Sequence, residues 1–453
     1  MSETQQLSLF DLKISDSPDI QASFTFVDLF AGIGGFRIAL EALGGTCLGF
    51  SEIDQHCITT YTDNFGDKES DNLGDITKIQ SLPHSDLLVG GVPCQSWSVA
   101  GKMLGFDDPR GMLWHDVIGL VKTARPKVFV FENVKGLYDP RNKHNLDFIL
   151  DKFDEHGYMV KIKLLNSYDF GVPQIRSRIF IVGFRKELAA CFSKFEFPAG
   201  TGAHDNLAKY LDGVENKEIC KRKFMPKELF GEYIPKSRNA FQKEDELNDF
   251  FTLCDTRNGH TTIHSWDLVD STTRQKEIMS AIMKNRRRKK YGDKDGNPLS
   301  LDSIQEFVPD VSIDELEELV EMGLLRRVAD KYEFANSKNS SGIDGVYRLY
   351  MPYSKVFSTL TASGTRDVVV TDYIQPDIPP DRYRSEFISQ IIANKRYRPL
   401  SVAEVQRIQG FPDGFRPHCD DRIAKKQFGN AVSPPVIEAL VQKVINTNVF
   451  GDA

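Results

Sequence analysis

The stretch from Phe24 to Leu43 restricts this chain to few folds. Phe24-Thr25-Phe26-Val27-Asp28-Leu29-Phe30 alternates and is β-rich, Ala31-Gly32-Ile33-Gly34-Gly35 turns, and Phe36 to Leu43 has helical spacing. Strand, glycine turn and helix open a nucleotide-binding α/β unit. Missing side chains let the backbone approach a ligand closely, and the helix N-terminus offers amide donors. A second strand, Thr46 to Phe50, ends at Ser51-Glu52-Ile53. A carboxylate about 20 residues after the first glycine suits a ribose diol. The spacing does not separate a nicotinamide cofactor from any other adenosine, and a tight β-α connection without a ligand has the same pattern.

Two further apolar runs read as buried parallel strands, and each stops at polar residues. Asp86-Leu87-Leu88-Val89 runs into Gly90-Gly91-Val92-Pro93-Cys94-Gln95-Ser96-Trp97-Ser98. Lys127-Val128-Phe129-Val130-Phe131 runs into Glu132-Asn133-Val134. Ligands of an open α/β sheet sit outside the carboxyl ends of its strands, where a reactive thiol and a carboxylate belong. Gly74-Asp75-Ile76 places an Asp able to accept from an adenine amino group beside an apolar contact. Gly101 to Arg110 suits a mobile lid. Met112 to Thr123 and His144 to His156 suit helices, and Gly171 to Arg178 leads into the strand Ile179 to Gly183. Arg176 and Arg178, at i and i+2, point to one side of that strand.

At 453 residues the chain predicts two or three domains. There is no run of about 18 apolar residues and no signal-peptide core, which argues against a membrane span or secretion. Seven cysteines are scattered without C-x-x-C pairs, as in a reducing, cytoplasmic compartment. Cys254, His260 and His264 lack a fourth partner, so no metal is expected. The net charge of −7 does not advertise nucleic acid, but Lys284, Arg286, Arg287, Arg288, Lys289 and Lys290 form a basic run suited to a phosphate backbone.

Residues 1–22 read as a flexible tail. Within it Gln6-Leu7-Ser8-Leu9-Phe10 resembles the peptide by which bacterial replication and repair proteins dock on the sliding clamp; an apolar patch folding back on the body is the other reading. From about Phe195 the α/β rhythm stops. Ser312-Ile313-Asp314-Glu315 is a capping box opening an amphipathic helix with Ile313, Leu316, Leu319, Val320 and Leu324 inward. A small hairpin over Leu324 to Phe334 follows, which hints at a winged-helix-like piece over about 300–335. Patterned sequence returns at Ser358 to Ala362, Arg398 to Pro412 and Gln427 to Val432, and a closing helix spans Pro435 to Ile445.

The glycine turn, Pro93-Cys94-Gln95, Glu132-Asn133-Val134, Gln174-x-Arg176-x-Arg178 and Gln427-x-Gly429-Asn430, in this order, together resemble one family, the prokaryotic DNA (cytosine-5) methyltransferases. The resemblance covers residues 24 to about 185 and 395 to 446. It implies an α/β fold: a Rossmann-like S-adenosylmethionine-dependent domain with a mostly parallel, doubly wound sheet, and a smaller irregular target-recognition domain across a DNA-binding cleft. The expected boundaries are a catalytic domain over 23–195, target recognition over 196–397, a hinge over 398–426 and a return to the catalytic domain over 427–453.

By this resemblance Cys94 adds to C6 of a flipped-out cytosine and makes an enamine able to take a methyl at C5. Glu132 holds the N3 edge and donates a proton there. Arg178 grips O2, and Arg176 lies close to the thiol or a phosphate. S-adenosylmethionine would contact Phe30, Gly32, Gly34 and Gly35 at its methionine end, Glu52 at its ribose, and Ile53, Asp75 and Ile76 around adenine. Pro93, Leu113, Asn430 and Val432 would complete the pocket. Gln95, Ser98, the basic run and Thr359 would meet double-stranded DNA. The expected enzyme is a monomer of restriction-modification or phage-defence type, with a cognate nuclease or defence protein as partner.

Val92 replaces the aromatic that often precedes the Pro-Cys pair, and Ala403 stands where an arginine is usual. Three other readings compete. A non-catalytic relative normally loses the thiol or the glutamate, and both stand here. A tRNA methyltransferase on the same fold has a short recognition segment, unlike the roughly 200 residues here. A dehydrogenase leaves Cys94, Glu132 and Arg178 idle.

Overall fold

The computed structural model describes residues 23–93, 112–202, 205–217, 219, 250–255, 261–294, 296–335, 347–364, 366–375 and 378–451. The chain divides into two compact units, one of residues 1–205, 356–364 and 401–453, the other of residues 206–355 and 365–400.

The first unit is built on a six-stranded sheet. In chain order its elements are β1 (Phe24–Leu29), α1 (Gly35–Ala42), β2 (Gly45–Ser51), α2 (Gln55–Phe65), β3 (Leu87–Gly91), α3 (Leu113–Ala124), β4 (Val128–Val134), α4 (Lys143–Glu155), β5 (Tyr158–Asn166), β6 (Ser177–Arg185) and α5 (Ala189–Lys194). The strand order is β2-β1-β3-β4-β6-β5. β1 pairs in parallel with β2 and β3, and β3 with β4, whereas β6 runs antiparallel to both β4 and β5. The order reverses about β1 and β3, the kind of position where open α/β sheets bind ligands. β4 is inaccessible on both faces from Val128 to Phe131, which is why it reads as an unbroken apolar run. Each such side chain contributes about 1.5–3 kcal/mol by burial. One face packs against α1 around Phe36 and Leu40, the other against α3 and α4 around Trp114, Val117, Ile149 and Phe153. β5 was not foreseen: its Lys161 and Lys163 interrupt the apolar pattern at a sheet edge, a usual protection of an exposed strand.

Among its described residues the second unit contains two cores. Strands β7 (Phe250–Leu253) and β8 (Thr262–Ile263) come first, followed by α6 (Thr273–Asn285), β9 (Leu299–Ser300), α7 (Leu301–Gln305), α8 (Ile313–Glu321), β10 (Leu325–Val328), β11 (Lys331–Phe334), β12 (Tyr347–Tyr350), β13 (Val368–Val370), α9 (Pro380–Glu386) and β14 (Tyr397–Arg398). A five-stranded mixed sheet, β14-β13-β12-β7-β8, surrounds Leu253, Leu349, Val370 and Phe251, whose ring stacks on Phe387 at 3.8 Å. A three-stranded antiparallel sheet, β10-β11-β9, closes with α6, α7 and α8 around Ile278, Ile282, Ile304, Leu316, Leu319 and Phe334. Ser312 and Glu315 cap α8 reciprocally. Leu316 and Leu319 face inward, but Ile313 is 49% exposed. As the first helical residue it projects before the stripe that meets the core. Strands of two to four residues carry too little periodicity to be read, so this unit looked irregular in sequence.

The chain then returns to the first unit. Its closing helices are α10 (Val402–Gln409), α11 (Asp421–Asn430) and α12 (Pro434–Ile445). Ser401 and Glu404 form a capping box on α10, Asp420 caps α11, and α12 starts on Pro434. α12 packs on α1 through Val436, Ile437, Leu440 and Val444.

Candidate active site

β1 ends in a backbone shaped by its glycines. Phe30, Gly32 and Gly34 all take positive φ, at 53°, 56° and 84°. A Cβ on Gly34 would stand 2.3 Å from the Phe65 ring, and one on Gly35 would stand 2.8 Å from Val432 Cγ2. Substitution would therefore strain the turn and also close it. The Gly32 amide donates to Glu52 Oε2 at 2.8 Å, and the Ile53 and Asp54 amides donate to Oε1, each at 2.8 Å. Asn72, unnoticed in the sequence, fixes this corner: its Oδ1 accepts from the Glu52 amide and its Nδ2 donates to the Glu52 carbonyl. The side chain of Ile53 stands open at 73% exposure. Asp75 accepts from the Thr77 amide and hydroxyl, and Ile76 is buried in the core beneath. Leu113 begins α3. Exposed Asn430 ends α11, and Val432 lies next to Gly35 and Gly91.

One neighbouring carboxylate was also overlooked. Asp28 is fully buried near the end of β1, with neither oxygen hydrogen-bonded among the described residues. Burial pushes its carboxyl well above the usual range; Arg37 lowers it and Glu52 raises it further. A single carboxylate inside the apolar run Phe26 to Leu29 was the signal available in the sequence.

Glu132 leaves β4 at the same edge of the sheet, 8% exposed. Arg178, on the adjacent strand β6, holds it with Nε 2.8 Å from Oε1. The carbonyl of Glu132 accepts from the Val92 amide at 3.2 Å, and Asn133 Nδ2 donates to the Val92 carbonyl. The segment entering Pro93 is thereby tied to the acidic strand. Val92 is buried, so the aliphatic replacement packs well, and Ala403 is exposed. Cys94, Gln95, Ser98, the Gly101–Arg110 stretch and Gln6–Phe10 lie outside the described residues.

Arg176 and Arg178 line one small cavity with Glu132, Ser167 and Ser433, yet their partners differ. Arg176 is 2% exposed and donates to the carbonyls of Leu360, Gly429 and Ala431 at 2.9, 3.1 and 2.9 Å. These bonds tie Arg176 to main chain from two later stretches of the first unit, a clamping role, while the Cys94 thiol expected beside it lies outside the described residues. Gln174 works beside it, accepting from the Leu360 amide and donating to Gln409 Oε1 and the Ile408 carbonyl. Gln409 continues to the Ala431 carbonyl. Together they lock residues 356–364 into the first unit, where Thr359 donates its hydroxyl to the Ile175 carbonyl.

In the second unit Lys284, Arg287, Arg288, Lys289 and Lys290 are exposed. Arg286 departs from expectation: it is 2% exposed, its guanidinium 4.2 Å from the centre of the Phe334 ring. It packs the module and cannot meet a phosphate there.

The glycine turn with Glu52 bonded to it, and the Glu–Arg pair where the carboxyl end of β4 meets the amino end of β6, gather at one edge of the sheet the residues expected to bind a nucleoside-like cofactor and a polar substrate. The chain belongs to the C-5 cytosine-specific DNA methylase family, whose model matches residues 24–446. It is 49% identical over 421 residues to the Type II methyltransferase M.HgiBI of Herpetosiphon aurantiacus, covering 92% of this chain and 95% of that protein. Identity to M.HgiCII of the same organism is 47% over 430 residues, covering 94% and 98%. The Entamoeba histolytica methyltransferase EhMeth shares the fold, with a TM-score of 0.51 at 16% identity over 94% of this chain and 98% of that one. The fold is thus the α/β Rossmann-like methyltransferase fold, and the protein methylates cytosine in DNA at C5.

Proposed function

We propose that the protein transfers a methyl group from S-adenosylmethionine to a flipped-out cytosine in a specific double-stranded sequence, through a covalent bond between Cys94 and C6. The observation that carries this reading is the Glu132–Arg178 pair at the sheet edge, with Glu132 bonded through its main chain to Val92, two residues before Cys94. The turn at Gly32 to Gly35 fits the cofactor: a side chain on Gly32 would be strained by its positive φ and would fill open space, while Gly34 and Gly35 have no room for one beside Phe65 and Val432. Glu52, oriented by three amides, would take the ribose diol; Ile53, Asp75 and Ile76 would surround adenine; Phe30, Pro93, Leu113, Asn430 and Val432 would close the pocket. When bound, S-adenosylmethionine supplies an electrophilic methyl on a sulfonium.

The chain's own residues do the rest. The Cys94 thiolate adds to C6 while Glu132, at N3, donates a proton, so the C5–C6 double bond becomes an enamine whose C5 is nucleophilic. After C5 has gained its methyl, a water or a side-chain base takes the C5 proton, the C6–S bond breaks, N3 returns its proton to Glu132 and the thiolate leaves. Arg178 orients Glu132 and steadies charge at O2. Arg176 is a positioning residue. Cys47 is unsuited to the nucleophile's part, since burial pushes its thiol to about 11, and Cys57 is raised in the same way.

Thr359, Gln95 and Ser98 would contact the DNA, with the exposed cations of the second unit. The relatives named as Type II methyltransferases support a restriction-modification setting; a cognate nuclease as partner, a cytoplasmic location and a monomeric state are part of the same proposal. Gln6–Phe10 would serve as a sliding-clamp tether. Bisulfite sequencing of DNA from a bacterial host expressing the protein tests the reading. One short sequence should resist conversion, and the Cys94→Ala variant should leave none; uniform conversion with the intact protein would refute it.

A further inference from the structure

The module from Thr273 to Phe334 runs helix, strand, helix, helix, hairpin, and its first strand, β9, pairs with the second hairpin strand β11, which lies in the middle of the sheet. We propose that this is a winged-helix unit that grips the DNA backbone with the ridge after its first helix and keeps its third helix out of the major groove. The inference rests on the DNA-methylating reading above and adds where the second unit holds its substrate.

In helix-turn-helix proteins the later helix of the motif enters the major groove. Here that helix is α8, Ile313-Asp314-Glu315-Leu316-Glu317-Glu318-Leu319-Val320-Glu321, with five carboxylates and neither Lys nor Arg. Duplex DNA carries about one negative charge per 1.7 Å of axis, so the groove repels this helix. The hairpin does not compensate. Arg326 is paired with Glu333, while Arg327 Nε and the Tyr332 hydroxyl both donate to Glu317 Oε1, at 2.8 and 2.6 Å. Asp314, Glu318 and Glu321 remain exposed.

Positive charge lies instead between 284 and 290, where Lys284, Arg287, Arg288, Lys289 and Lys290 are exposed; Lys290 is paired with Glu306. The ridge is held in shape from behind. Arg286 lies over Phe334 of β11, and Asn297 Nδ2 donates to the carbonyls of Arg286, Gly292 and Lys294 at 3.0–3.1 Å. A Cβ on Gly292 would stand 2.4 Å from Asn297 Oδ1, so the loop closes tightly on that side chain. Charges on a pre-ordered loop lose less entropy on binding than charges on a floppy one. Phosphate contacts fix position without reading bases, so the ridge sets affinity and another segment sets the sequence.

Two variants of the full chain test this, with the methylated sequence known from bisulfite data. K284Q/R288Q/K289Q should raise the KM for DNA about tenfold or more and flatten the slope of log affinity against log salt by about 2–3, with the same sequence methylated. D314N/E318Q/E321Q should keep the methylated sequence, the salt slope and, within about threefold, the KM. The charge-retaining K284R/R288K/K289R should match the wild type, separating lost charge from misfolding. An unchanged slope in the first variant, or an altered target sequence in the second, would overturn the proposal. A wild type that methylates no DNA would refute the underlying reading instead.

Discussion

Glu132 and Arg178 face each other across the antiparallel pair β4–β6, with Nε 2.8 Å from Oε1 and both side chains largely withdrawn from solvent. The pairing register sets Val134 opposite Arg178 and Phe180 opposite Glu132, so the two meet diagonally across the strands, and the arginine fixes where the carboxyl group points. Glu132→Gln keeps the shape and removes the proton donor. It should lower kcat about 10²–10⁴-fold in a single-turnover assay, with affinity for duplex DNA within about threefold. Near-normal turnover would remove Glu132 from the chemistry.

Arg176 should behave differently. Its guanidinium satisfies three main-chain carbonyls from two separate stretches of the first unit. Arg176→Met leaves those carbonyls without it, at a cost of about 3–5 kcal/mol. Thermal unfolding should show a fall of several degrees alongside any loss of activity. Full stability with lost activity would instead assign Arg176 to the reaction.

Gly429 lies against the same segment. A Cβ there would stand 2.4 Å from the carbonyl carbon of Thr361 and 2.8 Å from the amide nitrogen of Ala362, and backbone cannot swing aside as a flexible side chain does. Gly429→Ala should destabilise by about 2–4 kcal/mol and displace residues 356–364. Denaturant unfolding with the wild-type midpoint would show that the segment adapts.

Asp28 gives a pH signature. Its folded carboxyl is raised by burial, so the unfolded chain loses this proton first, near pH 4. The stability cost is absent below that pH, and it grows by about 1.4 kcal/mol per pH unit as pH rises toward the folded value. Asp28→Asn carries no such cost. Its stability advantage over the wild type should therefore widen from pH 5 to pH 7 in urea titrations; a constant difference would mean that Asp28 is ionised in the folded protein.

What could be read in the sequence follows from physical scale. β3 and β4 are apolar runs that stop at glycine or at a carboxylate, and such runs have few alternatives to a central parallel strand; β1 is legible from its alternation and the glycine turn after it. The glycine turn and Glu52 stand together because both ends of one β-α-β unit were visible in 30 residues or so. Arg176 could not be separated from Arg178 on spacing alone, since both lie on one side and only the carbonyls of Leu360, Gly429 and Ala431, brought from far along the chain, distinguish them. Arg286 misled for a similar reason: a run of cations looks uniformly solvated until one member finds an aromatic face such as Phe334. Asn72 acts through the main-chain groups of Glu52 and leaves no motif.

The account depends most on Cys94 forming a bond to the target base. Duplex DNA carrying 5-fluorocytosine at the methylated position, incubated with the protein and S-adenosylmethionine, blocks loss of the C5 substituent and should trap the enzyme. Mass spectrometry of the digested complex should find the modified nucleotide on the peptide containing Cys94. Full methyl transfer to normal DNA together with no adduct on that peptide from the fluorinated duplex would contradict the mechanism.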